Sequence, residues 1–264
     1  MSEVVQKQFE DGVAIVTLNR PDRLNAWTVE MEQAYFAALD DCAASPEVRV
    51  IVVTGAGRGF CAGADMKDLQ AIGAGEIDTE VRAGDRRLQS HPLSIPKPIV
   101  AAINGACAGL GLVQALMCDV RFAAAGAKLT TAFARRGLVA EHGISWILPR
   151  LIGPARALDL LLSGRVVLAE EALELGLVNR VHPPDALLEQ AVDYAREIAR
   201  SCSPASMATM KRQVYADLLG GLADATAEAD RLMLASFNEP DFAEGVTSFL
   251  ERRDPRFAPL GAEA

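Results

Sequence analysis

The chain has 264 residues, a length that suits one large α/β domain with at most a small appendage. Half of its residues are apolar and 23% are charged, which excludes a disordered chain and permits a sizeable core. The 26 Lys and Arg against 35 Asp and Glu give a formal net charge of −9, and so acidic a chain lacks the basic footprint that nucleic-acid binding requires. Any anionic ligand must therefore be held by local donors.

Cysteine usage and the apolar segments indicate the compartment. The five cysteines are odd in number and widely spaced, without a C-x-x-C pair, which favours reduced thiols in a cytoplasmic protein over disulfides or a zinc site. The first ten residues carry acidic side chains and no apolar run, unlike a signal peptide. Residues 99–118 are uncharged and long enough to cross a bilayer, but Asn104, Gln114 and clustered glycines favour a buried strand, a glycine loop and a buried helix.

The N-terminal elements follow from simple patterns. Residues 3–9 and 13–18 are predicted strands, joined by the Asp-Gly turn that begins at Asp11. Thr28 is the predicted N-cap of an amphipathic helix that ends near Ser45. Further along the chain we expect strands over 48–54, 97–103, 120–123 and 128–131, and a helix over 112–117.

The rest of the chain divides into a loop region and a helical region. Residues 70–90 are polar and glycine-bearing, and are expected to form a mobile loop and a charged helix around 81–89. From Gly153 onward the chain is mainly helical, and we expect a mixed α/β core over residues 1–200 and a helical C-terminal region over 201–264. The predicted helices in this half cover residues 169–175, 185–200, 204–219, 222–237 and 241–252.

Two segments share one plan: an apolar strand, a glycine-rich turn and then a helix. The first runs over residues 50–65 and the second over residues 99–111. Glycine lets the backbone turn tightly and leaves N–H groups unpaired at a helix start. Two such turns that converge would supply two N–H donors to one developing oxyanion, as acyl transfer and enolate chemistry require. On the residues alone, two ordinary connections of an α/β sheet explain the pattern equally well.

Other motifs argue against other chemistry. Residues 57–62 fit G-x-G-x-x-A formally, but the chain continues as loop to Asp65, which weakens a dinucleotide-binding interpretation. A G-x-x-x-x-G-K-[ST] motif is absent from the sequence, and residues 143–147 lack the last glycine of a serine-hydrolase elbow. The three histidines lie far apart, so no metal site is expected.

The chain resembles the enoyl-CoA hydratase/isomerase (crotonase) superfamily over residues 13–253. The similarity is strongest in residues 60–67, FCAGADMK, and 104–111, NGACAGLG, which Met-Cys-Asp follows at 117–119. The resemblance implies a crotonase-like spiral of ββα turns, a helical C-terminal region that assembles the chain into a homotrimer or hexamer, and an acyl-CoA or enoyl-CoA substrate. It implies no separate cofactor, because coenzyme A is part of the substrate. By analogy, the oxyanion donors are the backbone N–H groups of Ala64 and Leu110.

The chain departs from the family at both positions where hydratases carry a catalytic glutamate. The first, three residues after Leu110, is Val113, and the second, four residues before Gly137, is Phe133. Neither side chain transfers a proton, so the two-carboxylate hydration mechanism is absent.

Glu141 stands four residues after Gly137, where family members that shift double bonds often carry a single catalytic carboxylate. The resemblance therefore implies isomerisation of 3-enoyl to 2-enoyl thioesters, with Glu141 as acid and base and its pKa raised by apolar neighbours. The alternative for this residue is a loop glutamate in ordinary solvent, with or without Arg135 or Arg136 as a partner. The alternatives for the whole protein are a hydratase in which Glu141 alone activates water, a catalytically silent acyl-CoA binder and, more remotely, a dinucleotide-binding oxidoreductase.

The resemblance also implies a groove for coenzyme A. Lys67 lies in the segment Ala64, Asp65, Met66 and Lys67, which lines this groove in the family, and Asp65 is also a predicted helix N-cap. In the C-terminal helix, Arg252 matches a basic position that reaches the adenosine phosphate, sometimes from a neighbouring subunit. Phe249 is a candidate to flank the adenine, and Arg23 is a candidate for a further positive charge. The alternative for Lys67, Arg252 and Arg23 is that they are solvated surface charges.

Overall fold

The computed structural model describes residues 3–76 and 87–260. Within these ranges, ten strands form two sheets: β1 (Val5–Glu10), β2 (Val13–Leu18), β3 (Val50–Gly55), β4 (Gly59–Cys61), β5 (Ile99–Ile103), β6 (Ala106–Ala108), β7 (Val120–Ala124), β8 (Lys128–Thr130), β9 (Val167–Leu168) and β10 (Arg180–His182). Eleven α-helices lie in the same ranges: α1 (Val29–Ala44), α2 (Met66–Gly73), α3 (His91–Ser94), α4 (Leu110–Leu116), α5 (Ile144–Ile152), α6 (Pro154–Ser163), α7 (Ala169–Leu175), α8 (Leu187–Ser201), α9 (Pro204–Asp217), α10 (Leu222–Ser236) and α11 (Pro240–Glu251).

The larger sheet has the strand order β1-β2-β3-β5-β7-β10. β1 and β2 pair antiparallel, and the other neighbours pair parallel. The central strands β3 and β5 are buried at every position, which explains why they appear in the sequence as continuous apolar runs rather than alternating ones.

The smaller sheet has the order β4-β6-β8-β9, with parallel pairing except between β8 and β9. Three times the chain passes from a strand of the larger sheet to a strand of the smaller one and then to a helix: β3, β4 and α2; β5, β6 and α4; β7, β8 and α5. This repetition confirms the predicted spiral of ββα turns.

The helix α8 packs against the larger sheet, where it contacts β2, β3, β5 and β7. Its buried residues lie on one face of the helix: Leu187, Ala191, Val192, Ala195 and Ala199. One part of the core therefore lies between α8 and the larger sheet, and the same cluster of buried residues continues into α1, α4, α5 and the smaller sheet.

Several sequence predictions are confirmed at the level of single caps. The side chain of Thr28 accepts a hydrogen bond from the amide of Met31, and Gly176 ends α7 in the left-handed region at φ 81°. Residues 99–118 form β5, β6 and α4, as the glycines in this stretch indicated. Within the described ranges, no helix is long and apolar enough to cross a membrane.

Two predictions about the middle of the chain need correction. The helix expected over 112–117 begins earlier, at Leu110, because Gly109 adopts φ 50° and turns the chain directly from β6 into α4. Residues 70–73, expected in a loop, belong to α2. Residues 81–86 of the helix expected around 81–89 lie outside the described residues, and residues 87–89 are not helical.

The helix α9 is tied to the core by one acidic side chain. Asp119 Oδ2 lies 2.8 Å from Lys211 Nζ, and the Tyr215 hydroxyl donates to Asp119 Oδ1 at 3.0 Å. Asp119 Oδ2 also accepts a hydrogen bond from the Ile99 amide at the start of β5. The start of the helical C-terminal region is therefore joined to the sheet by charge and hydrogen bonds.

Candidate functional site

The strands β4 and β6 end side by side, and a glycine turn follows each of them. In the parallel pairing of these two strands, the backbone of Cys61 lies opposite that of Cys107. A Cβ atom added to Gly63 would lie 2.9 Å from the carbonyl oxygen of Ala108 and 3.8 Å from the amide nitrogen of Leu110. The two glycine turns that the sequence singled out therefore meet in space.

The backbone N–H of Ala64 points away from the neighbouring segment, which contains Trp27. The Trp27 amide donates to the Gly63 carbonyl at 2.7 Å, and the Asp65 amide donates to the Trp27 carbonyl at 2.9 Å. In a planar trans peptide the carbonyl of Gly63 and the N–H of Ala64 point in opposite directions, so this N–H is directed away from Trp27. Within the described residues, no protein acceptor pairs with it.

The backbone N–H of Leu110 is unpaired for a different reason. Gly109 donates its own N–H to the Thr130 carbonyl at 3.0 Å and precedes the first residue of α4. The first N–H groups of a helix have no acceptor within that helix, so the Leu110 amide remains available. Across the described part of the chain no other acceptor pairs with it.

A cavity of about 330 Å³ opens beside these two amides. Its volume lies in the range of small-molecule binding sites. Its walls are largely apolar, and they include Ala26, Met66, Leu69, Phe133 and Leu138. The ionisable groups that line it within the described residues are Arg23, Asp65, Arg136, Glu141 and His142.

Glu141 lines this cavity, and its side chain is 31% exposed. Burial raises the pKa of Glu141 above its ordinary value, since the low-dielectric surroundings disfavour the charged form. The Nε2 atom of His142 lies 3.6 Å from Oε2 of Glu141. His142 itself has φ 57°, in the left-handed region that residues other than glycine rarely adopt. The sequence predicts no role for His142, and its position next to Glu141 is the one sequence feature that could indicate this contact.

The two arginines offered as alternative partners of Glu141 bind backbone carbonyl oxygens instead. Arg135 Nε donates to the Ser163 carbonyl at 2.9 Å. Arg136 Nη1 donates to the Ala132 carbonyl at 3.3 Å, although Arg136 also borders the cavity. Glu141 does lie in a loop, but the pairing with Arg135 or Arg136 is wrong.

Asp65 has the opposite electrostatic environment to Glu141. Its side chain accepts a hydrogen bond from the Lys67 amide at 3.1 Å, which confirms it as the N-cap of α2, and it pairs with Arg20 at 3.0 Å. Burial pushes the pKa of Asp65 upward, but the Lys67 amide and the Arg20 guanidinium outweigh it and hold this pKa below its ordinary value. Asp65 is therefore a structural anion.

Both positions of the missing family glutamates are apolar and enclosed. Val113 is fully buried inside α4, and Phe133 forms part of the cavity wall. The cysteines beside the two turns are also buried, and burial raises the pKa of Cys61 to about 12 and that of Cys107 well above its ordinary value. These thiols stay protonated and fill space in the core.

The structure gathers most but not all of the predicted binding residues. Arg23, Ala64, Asp65, Met66 and Leu110 border the cavity together with Glu141. The other three, Lys67, Phe249 and Arg252, do not line it in a single chain, and the Phe249 ring is exposed. Within the described ranges there is no group of three or more side chains that could hold a metal ion.

A family model described as Enoyl-CoA hydratase/isomerase matches residues 8–259. The chain belongs to the enoyl-CoA hydratase/isomerase family. It is 34% identical to a 1,2-epoxyphenylacetyl-CoA isomerase of Escherichia coli K12, over 97% of this chain and 99% of that protein. Among solved structures, it is 53% identical to an enoyl-CoA hydratase from Mycobacterium marinum, with a TM-score of 0.70 over 84% of this chain and 100% of that one. An enoyl-CoA hydratase from Polaromonas has a TM-score of 0.89 at 31% identity, over 96% of this chain and 99% of that one.

These relatives support the crotonase fold over 84% to 96% of the chain. Their names include both hydratases and an isomerase, so membership of the enoyl-CoA hydratase/isomerase family identifies a class of enzyme and not one reaction. The choice between reactions depends on the side chains around the two amides.

Proposed function

We propose that this enoyl-CoA hydratase/isomerase family member moves the double bond of a 3-enoyl-CoA thioester to the 2-position, with Glu141 as its acid and base. The observation that carries the proposal is that two carboxyl groups lining one cavity have pKa values shifted in opposite directions. Asp65 is held as an anion by hydrogen bonds and Arg20, whereas burial raises the pKa of Glu141. Such a separation of pKa values supports a proton-transfer role for Glu141.

In this proposal the thioester oxygen accepts hydrogen bonds from the backbone N–H groups of Ala64 and Leu110. These bonds strengthen as negative charge grows on the oxygen, which makes the C2 proton of the substrate more acidic. The Glu141 carboxylate removes that proton and leaves a dienolate. The protonated Glu141 then donates the proton to C4. This places the double bond between C2 and C3 and regenerates the carboxylate.

One carboxylate suffices for this proton shift. Addition of water across a 2-enoyl thioester in the manner of two-carboxylate hydratases needs a second proton-transfer group, and Val113 and Phe133 occupy both usual positions. Hydration by Glu141 alone is the second candidate, since the Mycobacterium marinum and Polaromonas structures are named hydratases.

A turnover assay separates these candidates. The purified protein is incubated with a 3-enoyl-CoA and, separately, with a 2-enoyl-CoA, alongside Glu141→Gln and the control Glu174→Gln, whose side chain is exposed on α7. Isomerisation predicts that conjugated thioester absorbance appears with the first substrate, and that Glu141→Gln slows this by at least about 100-fold while Glu174→Gln does not. Loss of absorbance with the second substrate supports hydration instead. A silent binder shows neither change, but acyl-CoA raises its melting temperature.

We also propose that the helical region over residues 201–264 mediates assembly into a homotrimer or hexamer. Its described part carries many exposed apolar side chains, a feature typical of subunit interfaces: Leu222, Met233, Leu234, Phe237, Phe242, Val246, Phe249 and Leu250. Assembly would also explain why Phe249 and Arg252 do not line the cavity of their own chain. The molar mass from light scattering tests this, and a monomer at micromolar concentration would contradict it.

A further inference from the structure

A chain of buried polar side chains runs behind the two glycine turns. The Trp27 indole N–H donates to Glu32 Oε2 at 3.2 Å, and the Gln89 amide donates to the same oxygen at 2.6 Å. The Gln114 amide donates to Gln89 Oε1 at 2.7 Å. Each of these four residues is at most 5% exposed. We refer to Trp27, Glu32, Gln89 and Gln114 as the polar bridge.

The two ends of the polar bridge belong to the segments that carry the unpaired amides. Trp27 pairs through its backbone with the residues on both sides of Ala64. Gln114 lies in α4, four residues after Leu110, and every residue of this helix is buried. The polar bridge therefore connects the segment that holds the Ala64 amide with the helix that begins at the Leu110 amide.

The contribution of these residues to folding stability does not explain why they are polar. Buried polar groups cost free energy unless they are fully paired, and apolar side chains of similar size often pack equally well. Gln114 Oε1 is buried without a hydrogen-bond partner in the described part of the chain, so the polar bridge includes an unsatisfied acceptor. Directional hydrogen bonds offer what apolar packing does not, namely a fixed distance and angle between the joined elements.

The Trp27 end of the polar bridge is held by packing as well. The indole meets the Tyr35 ring edge-on, with 5.5 Å between ring centroids, and Tyr35 belongs to the buried face of α1. The indole is therefore anchored on α1, and its N–H is directed to Glu32 on the same helix. This arrangement connects the position of Ala64 to the rigid core.

We propose that the polar bridge sets the separation of the Ala64 and Leu110 amides, and that Trp27, Gln89 and Gln114 are positioning residues for the oxyanion. The inference rests on the proposed function only in the assignment of these amides to the thioester oxygen. Oxyanion stabilisation depends on donors fixed in advance at the right distance, so a loosened separation weakens the hydrogen bonds most in the transition state.

The first test uses Gln114→Met and Trp27→Phe, singly and together, with Thr54→Val as the control. Thr54 is buried in β3 and donates to the Ala102 carbonyl at 2.9 Å, so its replacement also removes a core hydrogen bond. We expect each single variant to lower kcat about tenfold with KM changed less than about twofold, and the control to keep its kcat. Because both substitutions interrupt one connection, the double variant should fall less than about twofold below the worse single variant.

The second readout is the infrared stretching frequency of the thioester carbonyl in a bound saturated acyl-CoA, which does not react. The wild-type protein should lower this frequency, Gln114→Met should lower it less, and the melting temperature of Gln114→Met should stay equal or rise. Wild-type kcat and carbonyl frequency in both variants would overturn the proposal, as would a wild-type protein that binds the thioester without shifting its carbonyl. If the wild-type protein fails to turn over 3-enoyl-CoA, the proposed reaction fails, but the carbonyl frequency still decides whether the polar bridge positions the amides.

Discussion

Gly63 approaches Ala108 so closely that a Cβ atom on Gly63 would lie 2.9 Å from the Ala108 carbonyl oxygen. Gly63 also has φ 94°, which disfavours any other residue there. The contact lies directly before the Ala64 amide, so the distance between the two turns depends on the absence of a side chain at this one position.

Gly63→Ala is therefore expected to separate the two turns and lower kcat about 100-fold, because a displacement of about 1 Å is enough to cost that much. The matched control is Gly126→Ala, since Gly126 has φ 73° but no atom within 4 Å of its added Cβ. The control should lose about 1 kcal/mol of stability from backbone strain and keep its kcat. Equal kcat losses in the two variants, measured at a temperature where both are folded, would show that strain and not the contact matters.

The raised pKa of Glu141 predicts an acid limb in the pH profile of kcat/KM, which reports ionisations of the free enzyme. Only the ionised carboxylate accepts the C2 proton, so the rate falls as the pH drops through the pKa of Glu141, above the ordinary value of 4.5. Initial-rate assays from pH 4 to 8, with enzyme stability checked at each pH, measure this limb. A midpoint at or below 4.5 would contradict the desolvated environment of Glu141.

Phe133→Ala should move that acid limb to lower pH. Phe133 forms part of the apolar wall of the cavity, and removal of its ring admits water near Glu141. Better hydration stabilises the carboxylate, so its pKa should fall toward the ordinary value. The protein should also lose about 3–5 kcal/mol of stability, because Phe133 is buried. An unchanged midpoint in the variant would assign the pKa shift to other neighbours.

Glu141→Gln is expected to raise the melting temperature at neutral pH. Burial raises the folded-state pKa of Glu141 above its unfolded value, so the folded state binds this proton more tightly. The stability that this proton contributes is fully present below the unfolded pKa and is lost as the pH rises through the folded pKa. The gain from Glu141→Gln should therefore appear at pH 7 and shrink on acidification; calorimetry across that range checks it, and a gain that grows in acid would contradict it.

The turns and caps could be predicted from the sequence because they depend on local chemistry. The glycines around Gly63 and Gly109 indicated two tight turns, and Thr28 and Asp65 indicated helix starts. Whether the turns converge depends on the pairing of β4 with β6, which no local pattern encodes. The resemblance to the enoyl-CoA hydratase/isomerase family supplied that step.

The parts that sequence reasoning missed depend on contacts between distant residues. Gln89 and Glu32 are 57 residues apart, and nothing near either one indicates that their side chains meet. Arg135 and Arg136 lie close to Glu141 in the sequence, yet the turn at Gly137, with φ 71°, precedes Glu141 and both arginines bind carbonyl oxygens instead. Proximity along the chain was misleading in this loop.

The most direct test of the account is a crystal structure with a bound, unreactive acyl-CoA, in which the distances from the thioester oxygen to the amide nitrogens of Ala64 and Leu110 are measured. Both distances are expected to lie at about 2.7–3.1 Å, with a Glu141 oxygen facing C2 of the acyl chain. A thioester oxygen that contacts neither amide, and is held instead by Arg136 or by solvent, would contradict it.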